Sequence, residues 1–237
     1  MNDLERRVAR LERPQRKRAL ALKEENRISD SWVEQATQDT FTWVTQHTKT
    51  YNEHWHEEGR PSPRERFPEY EYFKHVFDIM DLERITFWEK SRDMMLSWAC
   101  VAYLERFAMT TPCCGILLQT QKEDKVIQLV KYAKELWRNS NVRIREACPL
   151  SRPLKRQSDY ELEFANGSYI AGIPGGANQI RSYHPFGYLN DESSFQPDCG
   201  DCFNEALAAV KGKIIFNSSA GPGWYADIRR DIIREKD

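Results

Sequence analysis

Three short stretches of the chain carry residue types suited to handling a polyphosphate. The first is Lys90-Ser91-Arg92-Asp93-Met94-Met95-Leu96-Ser97-Trp98, which follows the apolar run Ile85-Thr86-Phe87-Trp88 and leads into a helical pattern. A strand, a tight loop and a helix N-terminus gather free backbone N–H groups and the positive helix end at one spot, which makes an anion site. A phosphate loop also needs a cation for the β- and γ-phosphates and a hydroxyl for Mg²⁺. The usual pattern sets Lys directly before Ser or Thr. Here Leu96 holds that place, Ser97 supplies the hydroxyl, and the lysine, Lys90, stands at the mouth of the loop. A loop that curls around a phosphate lets a lysine at its mouth reach the same oxygens from the other side.

The second stretch, Phe186-Gly187-Tyr188-Leu189-Asn190-Asp191-Glu192, is an apolar strand ending in two carboxylates. An aspartate at a strand end can hold the Mg²⁺ shell, and a glutamate beside it can polarise an attacking water. The same residues, followed by Ser193 and Ser194, are also compatible with a plain helix N-cap. The third stretch, Lys213-Ile214-Ile215-Phe216-Asn217-Ser218-Ser219, is another apolar strand ending in small polar groups. Asn217, Ser218 and Ser219 could sense a γ-phosphate by hydrogen bonding.

These stretches need a scaffold that brings strand ends together. From Arg84 onward short apolar runs alternate with helical periods: strands near 85–88, 115–119, 186–189 and 213–216, helices from about Ser97 and over about 122–138, and a hairpin-like pair at 160–172. That alternation predicts an α/β fold, a mainly parallel sheet with helices on both faces. In such sheets ligands gather at the carboxyl ends of the strands. Gly172-Ile173-Pro174-Gly175-Gly176 lacks a following Lys-Ser/Thr and reads as a mobile connection before Arg181.

With its three strand-end motifs in this order, the chain resembles the large terminase subunits of tailed bacteriophages, over about residues 67–224. The resemblance is carried by Phe67-Pro68-Glu69-Tyr70 ahead of the first strand, by the loop Lys90 to Ser97, by Ile180-Arg181-Ser182, by Asp191-Glu192 and by Asn217-Ser218-Ser219. It implies an ASCE-type P-loop ATPase with a deviant Walker A, its lysine at the start of the loop. Lys90 through Trp98 would bind ATP, Ser97 and Asp191 would hold Mg²⁺, and Asp191-Glu192 would be the Walker B pair, with Glu192 and Lys90 catalytic. Arg181 would act as a finger on a neighbouring subunit's ATP, and Asn217-Ser218-Ser219 would couple hydrolysis to movement. The sequence departs from the family at Met95, where most relatives have Gly, and at Leu96, where the usual residue is Lys. A methionine there restricts a positive φ and adds bulk near the phosphates.

The resemblance further implies partners: double-stranded DNA, a small terminase subunit, the portal of a procapsid, and copies of this chain in a homo-oligomeric ring, in the host cytoplasm and outside the mature virion. Large terminases usually continue into an RNase H-like nuclease. This sequence ends at Asp237, so no nuclease site is expected in it. A helicase would usually need a second RecA-like domain. A further alternative is a nucleotide-binding assembly module with a degenerate Walker A and little activity of its own.

Composition is that of an ordinary folded domain, 40% hydrophobic and 30% charged, with net charge −1. No run approaches the ~18 apolar residues of a membrane span, and the charged N-terminus is no secretory signal. Charge is uneven, since residues 1–27 hold nine basic and five acidic side chains. Residues 1–58 are expected to form a helical, basic N-terminal arm and 59–237 the ATPase domain. Cys199 and Cys202 form a C-x-x-C without a second ligand pair, which reads as buried thiols rather than zinc.

Overall fold

A computed structural model describes residues 39–52, 55–91 and 94–234, apart from the side chains of 232 and 233. Most of the basic arm, together with Arg92 and Asp93, lies outside the described residues. Chain order gives helix α1 (Thr40–His47), strands β1 (Lys49–Tyr51) and β2 (Arg64–Arg66), α2 (Glu71–Leu82), β3 (Ile85–Lys90) and α3 (Leu96–Thr110). Then come β4 (Gly115–Gln119), α4 (Glu123–Asn139), α5 (Val142–Ala147), β5 (Glu161–Glu163), β6 (Tyr169–Ile173) and a single-turn α6 (Asn178–Arg181). The last elements are β7 (Gly187–Asp191), α7 (Cys199–Ala209), β8 (Lys213–Ser219) and α8 (Trp224–Arg234).

Six strands form one sheet in the order β3-β8-β7-β4-β6-β5. Every pairing is parallel except β5 with β6, the hairpin-like pair. The central strands are buried along their whole length, as in Gly115-Ile-Leu-Leu-Gln119. A parallel strand covered on both faces must be apolar on both, which is why these runs are continuous rather than alternating. Within β4, β7 and β8 the buried polar residues Gln119, Asn190, Asp191, Asn217 and Ser218 sit towards the carboxyl ends.

Alternate residues of each strand meet different helices. Leu117, Tyr188, Ile214 and Phe216 join Cys199, Cys202 and Ala206 of α7, Ile180 of α6 and Tyr225 of α8 in one buried cluster. The opposite face is covered by α3 and α4. A Cβ on Gly187 would fall 2.8 Å from Leu104 of α3, so only glycine lets that helix approach so closely. Helix α4 buries Val126, Leu129, Val130, Ala133 and Leu136, one stripe at helical spacing. Helix α3 is buried on nearly every side. Phe73 and Phe77 of α2 continue into Tyr103 of α3 as a run of stacked rings.

Residues 40–52 do more than extend an arm. Trp43 and Val44 of α1 are buried, and Lys49–Tyr51 is a strand paired antiparallel with Arg64–Arg66. The segment 172–176 is also tighter than its glycines imply, because Gly172 and Ile173 belong to β6. Among the described residues no helix is long and apolar enough to cross a membrane.

Candidate functional site

Sheet order decides what can meet. β8 is inserted between the loop strand β3 and the Asp191 strand β7. Register then sets Trp88 beside Asn217, and Asn217 beside Asp191. All three strands run in the same direction, so their carboxyl ends share one edge of the sheet.

At that edge the Lys90 Nζ donates to Ser97 Oγ at 2.8 Å and stands 3.9 Å from Asp191 Oδ1. The Lys90 and Asp191 side chains are only 16% and 9% exposed, so their charges act in a medium less screened than bulk water. Asn217 Nδ2 donates to the same Asp191 oxygen at 2.7 Å and reaches Ser97 Oγ at 3.4 Å. Lysine, serine, aspartate and asparagine from three separated stretches therefore form one contiguous cluster.

The loop between Lys90 and Ser97 is pinned from outside: Tyr72 of α2 donates its hydroxyl to the Met94 carbonyl at 2.8 Å. Met95 adopts φ 51°, ψ 19°, the left-handed conformation, at the residue preceding α3. The backbone thus keeps the turn that glycine would take without strain. Leu96, in the place of the usual lysine, is buried with 4% exposure and begins the core face of α3. Trp98 is also buried and stacks on Tyr132 of α4 at 3.9 Å.

Glu192 has φ 58°, likewise left-handed, and opens a three-residue 3₁₀ turn with no side-chain cap. This is a sharp reversal rather than a helix N-cap. Ser193 Oγ donates to Asn190, and Gln196 Nε2 donates to the Asp191 carbonyl at 2.8 Å. Ser218 Oγ accepts from the Ser194 backbone N–H at 3.0 Å, which ties the third motif to the turn after Glu192. Ser219 is half-buried beside Lys90 in the strand register.

Behind the turn lies a polar network that the sequence reading did not anticipate. Tyr188 donates its hydroxyl to Gln119 Oε1, and Asn190 Nδ2 donates to that hydroxyl at 2.8 Å. Gln119 Nε2 donates to the carbonyls of Pro174 and Gly176 at 2.8 and 3.1 Å. The only sequence signal was a polar residue closing each apolar strand run, as Gln119 does in β4.

Two cavities flank the cluster and share Lys90, Ser97 and Tyr132. The smaller, about 200 Å³, is lined by Asp191 and Glu192 on the strand side and by Thr120, Lys125, Gln128 and Leu129 on the α4 side. The larger, about 1440 Å³, is open and lies between the loop and the β1–β2 ribbon, with Pro68, Tyr70 and Met94–Trp98 on its wall. The donor set fits Mg²⁺, which takes hard oxygens and one or two protein ligands beside substrate phosphates: Ser97 offers a hydroxyl and Asp191 a carboxylate. Two buried oxygens at this edge, Thr120 Oγ1 and Asn217 Oδ1, have no hydrogen-bond partner within the protein and are open to a ligand or water.

Arg181 ends α6 and its guanidinium is ion-paired with Glu205 of α7, with the side chain 63% exposed. Among the described residues that line the two cavities it does not occur. Cys199 and Cys202 face the core beside Tyr188, and burial pushes both thiols up to about 12, so they stay protonated.

No family model and no curated protein matches the chain. Among solved structures, the chain is similar to the HK97 bacteriophage large terminase, with a TM-score of 0.57 and 12% identity over 73% of this chain and 38% of that one. It thus spans less than half of that protein's length. The ATPase domain of the Thermus phage P74-26 large terminase aligns with a TM-score of 0.44 and 11% identity, over 60% of this chain and 61% of that one. The fold is therefore the one seen in a phage large terminase, as the strand-end motifs implied.

Proposed function

We propose that this chain is the ATP-hydrolysing domain of a viral DNA-packaging motor, coupling hydrolysis to translocation of double-stranded DNA into a procapsid. The observation that carries the reading is the meeting of the Lys90 ammonium, the Ser97 hydroxyl and the Asp191 carboxylate at one edge of parallel strands. ATP is the substrate in this reading. Lys90 would neutralise charge on its β- and γ-phosphates, and Ser91 through Trp98 would wrap them. Ser97 and Asp191 would hold Mg²⁺, which when bound offsets charge on the phosphate oxygens. Glu192, facing the smaller cavity, would orient the attacking water. Asn217 contacts both Asp191 and Ser97, so loss of the γ-phosphate would be felt on β8 and passed on through Ser218 to the turn after Glu192.

The discriminating measurement is ATP turnover by the full chain, with and without double-stranded DNA. Hydrolysis that requires Mg²⁺ supports the reading. Tight ATP binding with no turnover in any assembly state would replace it with the assembly-module alternative, which the buried Leu96 at the usual lysine position favours.

Arg181 enters the same reading as a finger supplied to a neighbouring subunit, a role that can add ~10³–10⁵ in rate. It would have to leave Glu205, and an exposed, solvent-screened pair of this kind holds it only weakly. Turnover should then rise more steeply than linearly with protein concentration. Arg181→Ala and Glu192→Gln should each be inactive, yet mixed assemblies should regain activity, since Arg181 of one subunit serves the intact Glu192 of the other. No recovery in mixtures shown to co-assemble would remove the trans role.

A further inference from the structure

The smaller cavity holds a basic side chain that no motif assigns. Helix α4 follows β4, the strand beside β7, after residues 120–122, and Lys125, Gln128 and Tyr132, on its successive first turns, line the cavity together with Asp191 and Glu192. Their spacing along the helix sets them on one face, and a chain of hydrogen bonds joins them: Lys125 Nζ donates to Gln128 Oε1 at 3.3 Å, and Gln128 Nε2 donates to the Tyr132 hydroxyl at 2.9 Å. The Lys125 ammonium has three donors, and this contact takes one.

We propose that Lys125 is a second cation of the phosphate site, contacting the terminal phosphate of a bound nucleoside triphosphate from the β4 side while Lys90 approaches from β3. The inference rests on the nucleotide-binding reading above and adds to it a residue from outside the three motifs. Charge on the transferring phosphoryl group exceeds what one lysine and a divalent cation offset. Arg181 of the same chain is engaged by Glu205 and lies off the cavity. Among the described residues on the cavity wall, Lys125 is the other cation. A second, independent observation points to a ligand in this space: the Thr120 hydroxyl lines it, is 1% exposed, and has no partner within the protein. A phosphate oxygen or its attacking water would satisfy that hydroxyl, and Lys125, in the first turn of the helix that follows, lines the same cavity. The position gives a distinct signature. A cation that touches only the terminal phosphate should favour triphosphate over diphosphate and leave the diphosphate's affinity alone.

The test is calorimetric titration of the full chain with Mg²⁺ and either ADP or a non-hydrolysable ATP analogue, alongside ATP turnover, for wild type, Lys125→Gln and Lys125→Arg. Lys125→Gln should weaken the triphosphate analogue on the order of tenfold, leave ADP affinity unchanged, and lower turnover on the order of 10²-fold. Lys125→Arg should recover most of both. The residue is exposed, so its thermal midpoint should match wild type. A Lys125→Gln protein that keeps the wild-type ratio of triphosphate to diphosphate affinity overturns the proposal, as does equal weakening of both ligands. Wild type that binds neither nucleotide, or Lys90→Ala that binds both normally, would instead bring down the underlying ATPase reading and this inference with it.

Discussion

The two halves of the site reach the same edge of the sheet by different means. The β7–β8 half is built on register: Asp191 and Asn217 are cross-strand partners, both are buried, and the turn after them is held by Ser193, Gln196 and Ser218. The β3–α3 half is built on a loop whose chemistry has been moved along the sequence. Its lysine sits at the strand end, its usual lysine position is a core leucine, and a methionine takes the left-handed turn. Yet Lys90 and Ser97 are within hydrogen-bond distance, as a lysine and hydroxyl adjacent in sequence could be. What the site requires is a place in space, and a strand end plus one helix start can supply it at more than one sequence spacing. Each half also contains one non-glycine residue at positive φ, Met95 and Glu192. Strain of this kind costs of order 1–3 kcal/mol and is held by its surroundings.

The largest effect should come from separating the halves chemically. Lys90→Ala is expected to abolish hydrolysis and to weaken nucleotide binding, because it removes a ground-state contact from the loop half. Glu192→Gln should lower turnover by ~10²–10⁴ and leave Mg²⁺·ATP affinity intact, because it removes only the orientation of water. Titration and single-turnover rates on both variants check this. Reversed signatures, with affinity lost in Glu192→Gln and the rate per bound ATP preserved, would exchange the assigned roles of the halves.

A middle-sized effect tests the foundation of the strand half. Gln119→Leu keeps the bulk but leaves the buried Tyr188 O–H without its acceptor, whereas the Gly176 carbonyl keeps Gln179 N–H and the Pro174 carbonyl can turn to water. Leaving one buried donor unpaired costs about 1–3 kcal/mol, so the thermal midpoint should fall by roughly 5 °C for a domain of this size. A midpoint within about two degrees of wild type would mean that water or a shift of the 174–176 segment replaces Gln119.

Much of this architecture was legible in the sequence because parallel strands buried on both faces leave continuous apolar runs. The strand at Gly115–Gln119 matched residue for residue, β3 and β8 differed only in where they ended, and β7 both began one residue later and ended later. Those ends ran longer than their apolar cores because Glu89-Lys90, Asn190-Asp191 and Asn217-Ser218-Ser219 keep strand hydrogen bonding while changing chemistry. The site residues fell at strand ends, where a change from apolar to polar marks the position. Gln119, Thr120, Lys125 and Tyr72 escaped notice, since their roles depend on which strand neighbours which. A sequence does not display that β4 lies beside β7, nor that α2 returns its Tyr72 hydroxyl to the loop. The β1–β2 ribbon was missed for another reason: three-residue strands are too short to show a period. Of the helical basic arm expected over residues 1–58, residues 1–38 lie outside the described residues.

The smallest effect tests whether the loop half is as deliberate as the strand half. At φ 51°, Met95 pays the steric cost of a Cβ in the left-handed region, about 1–2 kcal/mol. Met95→Gly removes that cost but adds freedom to the unfolded chain, worth about 0.4–1 kcal/mol. The net change should therefore be a gain of about 0–1.6 kcal/mol, seen as a thermal midpoint that is unchanged or a few degrees higher. Nucleotide affinity should persist, because glycine holds the same turn and Tyr72 still anchors the Met94 carbonyl. Met95→Val should behave in the opposite way, since a β-branched side chain at positive φ is strongly disfavoured. It should lower the midpoint and loosen nucleotide binding by tilting the first turn of α3, which carries Ser97. If glycine destabilised the protein more than valine did, the half-buried Met95 side chain, and not the turn, would be what shapes the loop. The contrast between a register-built half and a turn-built half would then fail at its weaker side.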